Sequence, residues 1–167
     1  VILAVETLAN EALYWWKQNN NIPVSDYTDD TFESEVKDDC LTIIYRLLFL
    51  FYAESRDELE ILPVDDEVYK LGYSLESLRD LEMVRLNSDA SRNGYFFDDS
   101  IRHLFSLLSD GHNFKENNIN SKSFRVRPID SPLFNDNNLK HLANVRIRNI
   151  KWQEIIKALS LSKKKNY

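Results

Sequence analysis

The stretch LTIIYRLLFLFY, residues 41–52, decides how this chain folds. Read as a helix, it puts Leu41, Ile43, Ile44, Tyr45, Leu47, Leu48, Phe49, Leu50, Phe51 and Tyr52 on every side of the cylinder. A helix that is apolar all round must be surrounded, which predicts the central helix of a bundle. The run is too short and too closely flanked by charge to be a bilayer span. The helical pattern extends from about Thr31, a candidate N-cap with Glu33 and Glu35 near the positive helix end, to Arg56. Arg46 interrupts the apolar run. A buried guanidinium left unpaired is costly, so Arg46 is expected to meet a carboxylate or carbonyl inside the fold.

Working outward, residues 2–18 place Leu3, Ala4, Thr7, Leu8, Ala12 and Trp15 at helical spacing, and Asn19, Asn20, Asn21 and Pro23 end that helix. Downstream, Ile61, Leu62 and Pro63 close an acidic connector, and Tyr69 to Tyr73 read as a turn. Ser74 caps an expected helix running to about Leu86, and Asn87 to Gly94 read as a polar loop. Ile101, Leu104, Phe105 and Leu108 predict a helix from Asp98 to Ser109, with Asp98 and Asp99 as N-cap residues and Gly111 as terminator. Residues 112–130 read as a long polar loop with an extended piece at Phe124 to Arg127. Pro132, Leu133 and Phe134 form an apolar plug, followed by a short helix at Asn137 to Ala143 and a last helix at Lys151 to Leu161. The expected fold class is all-α: an irregular bundle of about six helices around the central one, with one short extended segment, in a single domain over 1–167.

Composition agrees. Nine Phe, eight Tyr and three Trp supply a compact interior, while three Gly and four Pro are too few for the many tight turns of an all-β fold. The lone Cys40 rules out an internal disulfide framework and lies in an apolar run, as a buried thiol would. The apolar opening, residues 1–5, is cut short by Glu6. It makes neither a signal peptide nor a span, so the expected location is the cytoplasm, with no membrane partner. The opening inside a helical pattern, without Met, reads as a piece of a longer polypeptide.

The net charge of −6 is unevenly spread. Residues 121–167 hold eleven Lys/Arg against three Asp/Glu, whereas residues 1–120 hold ten against twenty-four. The plainer expectation is that the basic third packs against the acidic body or a neighbouring domain. The sharper one is contact with a DNA backbone through Arg125, Arg127, Arg146, Arg148 and Lys151. Arg125 and Arg127 share one side of an extended segment, and a guanidinium fork suits phosphate. Lys163 to Lys165 read as a solvated tail.

Catalytic signals are thin. Glu35 and Lys37, with Asp26 upstream, form the fragment that metal-dependent nucleases use to hold Mg²⁺ and position water, but those enzymes place it on strands. In the first turns of a helix it reads as a solvated face. His103, His112 and His141 show no metal-ligand spacing, and His103 is expected to be partly buried. No Gly-rich phosphate loop occurs. The expectation is no catalytic, cofactor-binding or metal-binding residue in this chain.

Residues 40–56, CLTIIYRLLFLFYAESR, followed by Leu62-Pro63 and then by YSLESLR at 73–79, resemble a recurrent pattern in large restriction–modification enzymes. Pro132-Leu133-Phe134, Leu139 to Leu142 and Trp152 to Leu161 are similar to later elements of that pattern, so the likeness covers most of 38–161. These segments resemble the helical region ahead of the methyltransferase domain in fused type IIG and type I-like single-polypeptide enzymes and their phage-exclusion relatives. The resemblance implies a non-catalytic spacer coupling a methyltransferase domain, and in some relatives a nuclease domain, on one DNA duplex. S-adenosylmethionine, the methylation of adenine and any Mg²⁺ would belong to those neighbours, since neither the Gly-rich cofactor motif nor Asn-Pro-Pro-Tyr occurs here. The alternative is a stand-alone helical protein-interaction module.

Overall fold

The computed structural model describes residues 1–19, 30–75, 83, 85–113 and 125–160. The chain is all-α. Helix α1 (Ile2–Asn19) buries Ala4, Leu8, Glu11, Ala12 and Trp16 along one face. Helix α2 (Asp30–Glu54) places Val36, Cys40, Ile43, Ile44, Leu47, Leu50 and Ala53 in the core, but it is not the fully surrounded centre that its composition predicted. Its wrapping is incomplete. Tyr45 and Tyr52 stay 52% and 53% exposed, so one face of the run is open.

Beyond α2 a 3-10 turn at Asp57–Leu59 leads to α3 (Glu67–Gly72). The sequence suggested only a turn here. Asp66 makes it a helix, because its carboxylate accepts from the Val68 and Tyr69 amides and so caps the first turn. The helix expected from Ser74 to Leu86 falls mostly outside the described residues, and Arg85 to Asn87 are not helical. The polar loop expected at 87–94 contains α4 (Asp89–Asn93), where Ser88 and Ser91 exchange bonds as a capping box.

Helix α5 (Phe96–Asp110) buries Phe97, Asp98, Ile101, Leu104, Phe105, Leu107 and Leu108. Tyr95, not an aspartate, occupies its N-cap position. Gly111 ends it at φ +71°, where a Cβ would lie 2.6 Å from the Pro128 ring. The extended piece is real but short: β2 (Arg125–Val126) pairs antiparallel with β1 (His112–Asn113). Helix α6 (Asn149–Ser160) packs along α1 and places Trp152, Ile155 and Ile156 in the core.

Between β2 and α6 the chain is irregular, yet it drives five side chains into the core. Two 3-10 turns, Pro132–Phe134 and Asp136–Asn138, are followed by bends over 140–142, a turn at Ala143 and Asn144 and irregular backbone to Arg148, in place of the expected helix at 137–143. Phe134, Leu139, Leu142, Val145 and Ile147 of this strap are each at most 6% exposed. Among the described residues no helix is long and apolar enough to cross a membrane.

Candidate functional site

A buried irregular segment must find partners for backbone groups that a helix would satisfy by itself. Here they come from side chains of the long helices. Glu11 on α1, Asp39 on α2 and Asp98 on α5 are 2%, 3% and 0% exposed, each on the apolar face of its helix. A carboxylate removed from water must be paired, and all three are turned onto the strap.

Asp39 accepts three successive amides: Lys140 N–H at 3.1 Å on Oδ1, and His141 and Leu142 N–H at 2.7 and 2.9 Å on Oδ2. These donors are thereby lost to an α-helix, which is why 137–143 is not one. One turn earlier, Glu35 takes Lys140 Nζ at 2.6 Å and His141 Nε2 at 2.8 Å. Those two bonds hold the Glu35 carboxyl below its usual range and, reciprocally, hold the Lys140 ammonium above its own. The His141 ring stands edge-on to Phe32 at 4.8 Å, and Phe32 lies 5.5 Å from Trp16 of α1.

Asp98 also accepts three bonds, two of them from guanidinium groups. Its Oδ2 accepts from Arg102 Nε at 3.0 Å and Arg146 Nε at 2.7 Å, and its Oδ1 from Trp152 Nε1 at 3.2 Å. Arg102 in turn donates to the carbonyls of Ala143, Leu142 and Val145. Arg146 also reaches Asp99 at 2.5 Å and lies over the Tyr95 ring. Glu11 grips Arg148 with both oxygens, Oε1 to Nε at 2.6 Å and Oε2 to Nη2 at 2.8 Å, and Arg148 stacks 3.9 Å above the Tyr14 ring. The Glu11 carboxylate raises the Arg148 guanidinium above its ordinary value.

Arg46 secures the other end. Its guanidinium, 1% exposed, donates to Leu133 O at 2.6 Å, Asp136 Oδ1 at 2.5 Å and Asn135 O at 3.2 Å, and it packs on the rings of Phe105 and Phe134. The internal pairing expected for Arg46 is present. Asn149 completes the set: its Oδ1 accepts the Phe97 amide and its Nδ2 donates to Ser91 O, while its own amide donates to Gly94 O.

The candidate DNA-contact residues therefore fall into different settings. Arg146 and Arg148 are engaged by Asp98, Asp99 and Glu11, and Lys151 pairs with Glu154 one turn on. Arg127 is exposed, and the Arg125 side chain lies outside the described residues. The basic third packs against the acidic body, which was the plainer expectation from the charge split. Asp98 is an internal ion-pair centre and not a cap. Glu35 is tied to the strap instead of forming a solvated face with Lys37, and Asp26 lies outside the described residues. His103 is exposed, with Tyr73 5.6 Å away, contrary to the partial burial expected. The His112 side chain lies outside the described residues.

Cys40 is buried, and desolvation pushes its thiol up to about 12, far from a reactive thiolate. A small space of about 10 Å³ between Ile43, Arg46, Arg102, Phe105 and Trp152 has room for about one water. Among the described residues no group of three His, Cys, Asp or Glu is placed to hold a metal. Sequence reasoning missed Glu11, Asp39 and Asp98 as a set, although each carried a signal: an acid in register with apolar neighbours, Leu8 and Ala12, Val36 and Ile43, Ile101 and Phe105. No family model matches the chain, and neither a curated protein nor a solved structure matches it.

Proposed function

We propose that this chain is a non-catalytic helical spacer of a restriction–modification enzyme, holding a DNA adenine methyltransferase domain, and in some arrangements a nuclease domain, at fixed spacing on a duplex. The observation that carries the reading is a bond between the two motifs on which the resemblance rests. Glu54, inside the 40–56 motif, accepts the amide of Leu75, inside the 73–79 motif, at 2.7 Å, and the Tyr69 hydroxyl at the same distance. Arg46 of the first motif also anchors Leu133, a residue of the later Pro-Leu-Phe element. The residues that make the likeness thus support one another physically, as parts of one structural unit do.

The residues present do not fit S-adenosylmethionine. All three glycines close or follow helices, at Gly72, Gly94 and Gly111, and none belongs to a Gly-rich cradle. The cofactor and any Mg²⁺ are assigned to neighbouring domains. Contact with the DNA backbone is assigned to the Arg125–Arg127 segment, since the acids of the body already engage Arg146 and Arg148. In this reading the protein works in the cytoplasm, where its DNA lies.

The test is transfer of labelled methyl groups from S-adenosylmethionine to adenine in DNA, by the complete gene product and by residues 1–167 alone. The complete product is expected to incorporate label and the 167-residue chain none. A complete product that incorporates none, or a 167-residue chain that does, overturns the proposal.

A further inference from the structure

A guanidinium carries five N–H donors in a fixed fork. Among the described residues, acceptors meet three of those of Arg46: Leu133 O takes Nε–H, Asp136 takes one from Nη1 and Asn135 O one from Nη2. Each terminal nitrogen keeps one N–H without a protein acceptor, although the side chain is only 1% exposed. Unmet donors on a buried cation are costly, so a further partner is required. Arg46 also lines the space of about 10 Å³ between α2, α5 and the strap, and Arg102 of α5 lines it too. Through Nη1 Arg102 meets one acceptor, Ala143 O, and that nitrogen keeps its second N–H.

We infer that one water molecule resides in this space and accepts from Arg46 and Arg102, joining α2 to α5 beneath the strap. Size, donor set and charge each narrow the occupant. The volume is that of about one water-sized sphere, too small for a larger molecule. The polar side chains of the lining, Arg46, Arg102 and Trp152, carry only N–H groups, which a cation cannot use. An anion is disfavoured because each guanidinium already has a carboxylate, Asp136 on Arg46 and Asp98 on Arg102. Asp98 also takes the Trp152 indole N–H at 3.2 Å. A neutral acceptor with a single heavy atom meets the remaining donors without adding charge. This inference does not depend on the proposed function.

Crystals of the 167-residue chain, at a resolution that shows ordered solvent, test it directly. A water peak is expected about 3 Å from a terminal nitrogen of Arg46. No peak there overturns the inference. So does a bromide signal at that position in crystals grown with sodium bromide, which would mark an anion site. In solution, oxygen-17 relaxation dispersion counts long-lived internal waters. V145I adds a methyl group to a lining side chain that is 1% exposed, and is expected to lower the count by about one water. L71S, at a residue 78% exposed on α3, is expected to leave the count unchanged. Equal counts in wild type and V145I overturn the inference. If V145I does not fold, the wild-type crystal decides alone.

Discussion

The long helices and the strap at 131–148 both send side chains into the core, yet they hold their backbones in opposite ways. In α1, α2 and α5 nearly every amide is satisfied four residues away, so the side chains are free to pack. In the strap the bonds run to Arg46, Asp39, Arg102 and Glu11, over separations of 40 to 137 residues. A helix face can be varied while the helix survives. The strap has no such reserve, because its conformation is made by a few charged side chains that belong to other elements.

That contrast can be broken most severely at Asp98. Replacing it by Ala leaves Arg102 and Arg146 without their shared carboxylate and the Trp152 indole N–H unpaired, and should cost about 4 kcal/mol in urea unfolding. Asp39→Ala removes the acceptor of three buried amides and should cost about 3 kcal/mol, with faster hydrogen exchange concentrated at Lys140, His141 and Leu142. Equal protection of that segment in wild type and variant would show that Asp39 does not shape the strap. Gly111→Ala, at the exit of α5, forces a Cβ against Pro128 at a positive φ. It should cost about 2 kcal/mol in thermal or urea unfolding.

The mildest change is Glu35→Gln, which acts on pH dependence. The Glu35 carboxyl is held below its usual value of 4.5 in the folded chain, so its contribution is complete above that pH and disappears as pH falls through the lower folded value. Lys140 is held above its usual 10.5, so its share is complete below that pH and is lost as pH rises through the higher folded value. Between these limits the latch is intact. The variant should therefore flatten both edges of the stability–pH curve. A variant curve that superimposes on wild type would remove Glu35 from the latch.

The helices were legible in the sequence because their signal is local. Leu8 and Trp16, Ile44 and Leu47, Ile101 and Leu108 repeat at the helical period, and α1, α2, α5 and α6 lie within three residues of their expected bounds. The short α3 and α4 escaped a reading based on apolar period because each depends on one cap, Asp66 or Ser88. The strap was misread as a short helix for a different reason. Its leucines do recur helically, but the Asp39 carboxylate a hundred residues earlier captures the amides that a helix would need, and no window on 137–143 contains that information. The open face of α2 was hidden likewise, since composition counts Tyr45 and Tyr52 as apolar without revealing which neighbours arrive.

The position of the strap along the chain also sets when the fold can close. Glu11, Asp39, Arg46 and Asp98 precede in the chain most of the groups that pair with them in the fold, which lie in residues 133–152. Closing such distant contacts is slow, so refolding should pass through a stage with formed helices and an undocked C-terminal third. In stopped-flow refolding of W15F/W16F, which leaves Trp152 as the only tryptophan, helical circular dichroism should return before the fluorescence of Trp152, whose indole seats on Asp98 only when the last third arrives.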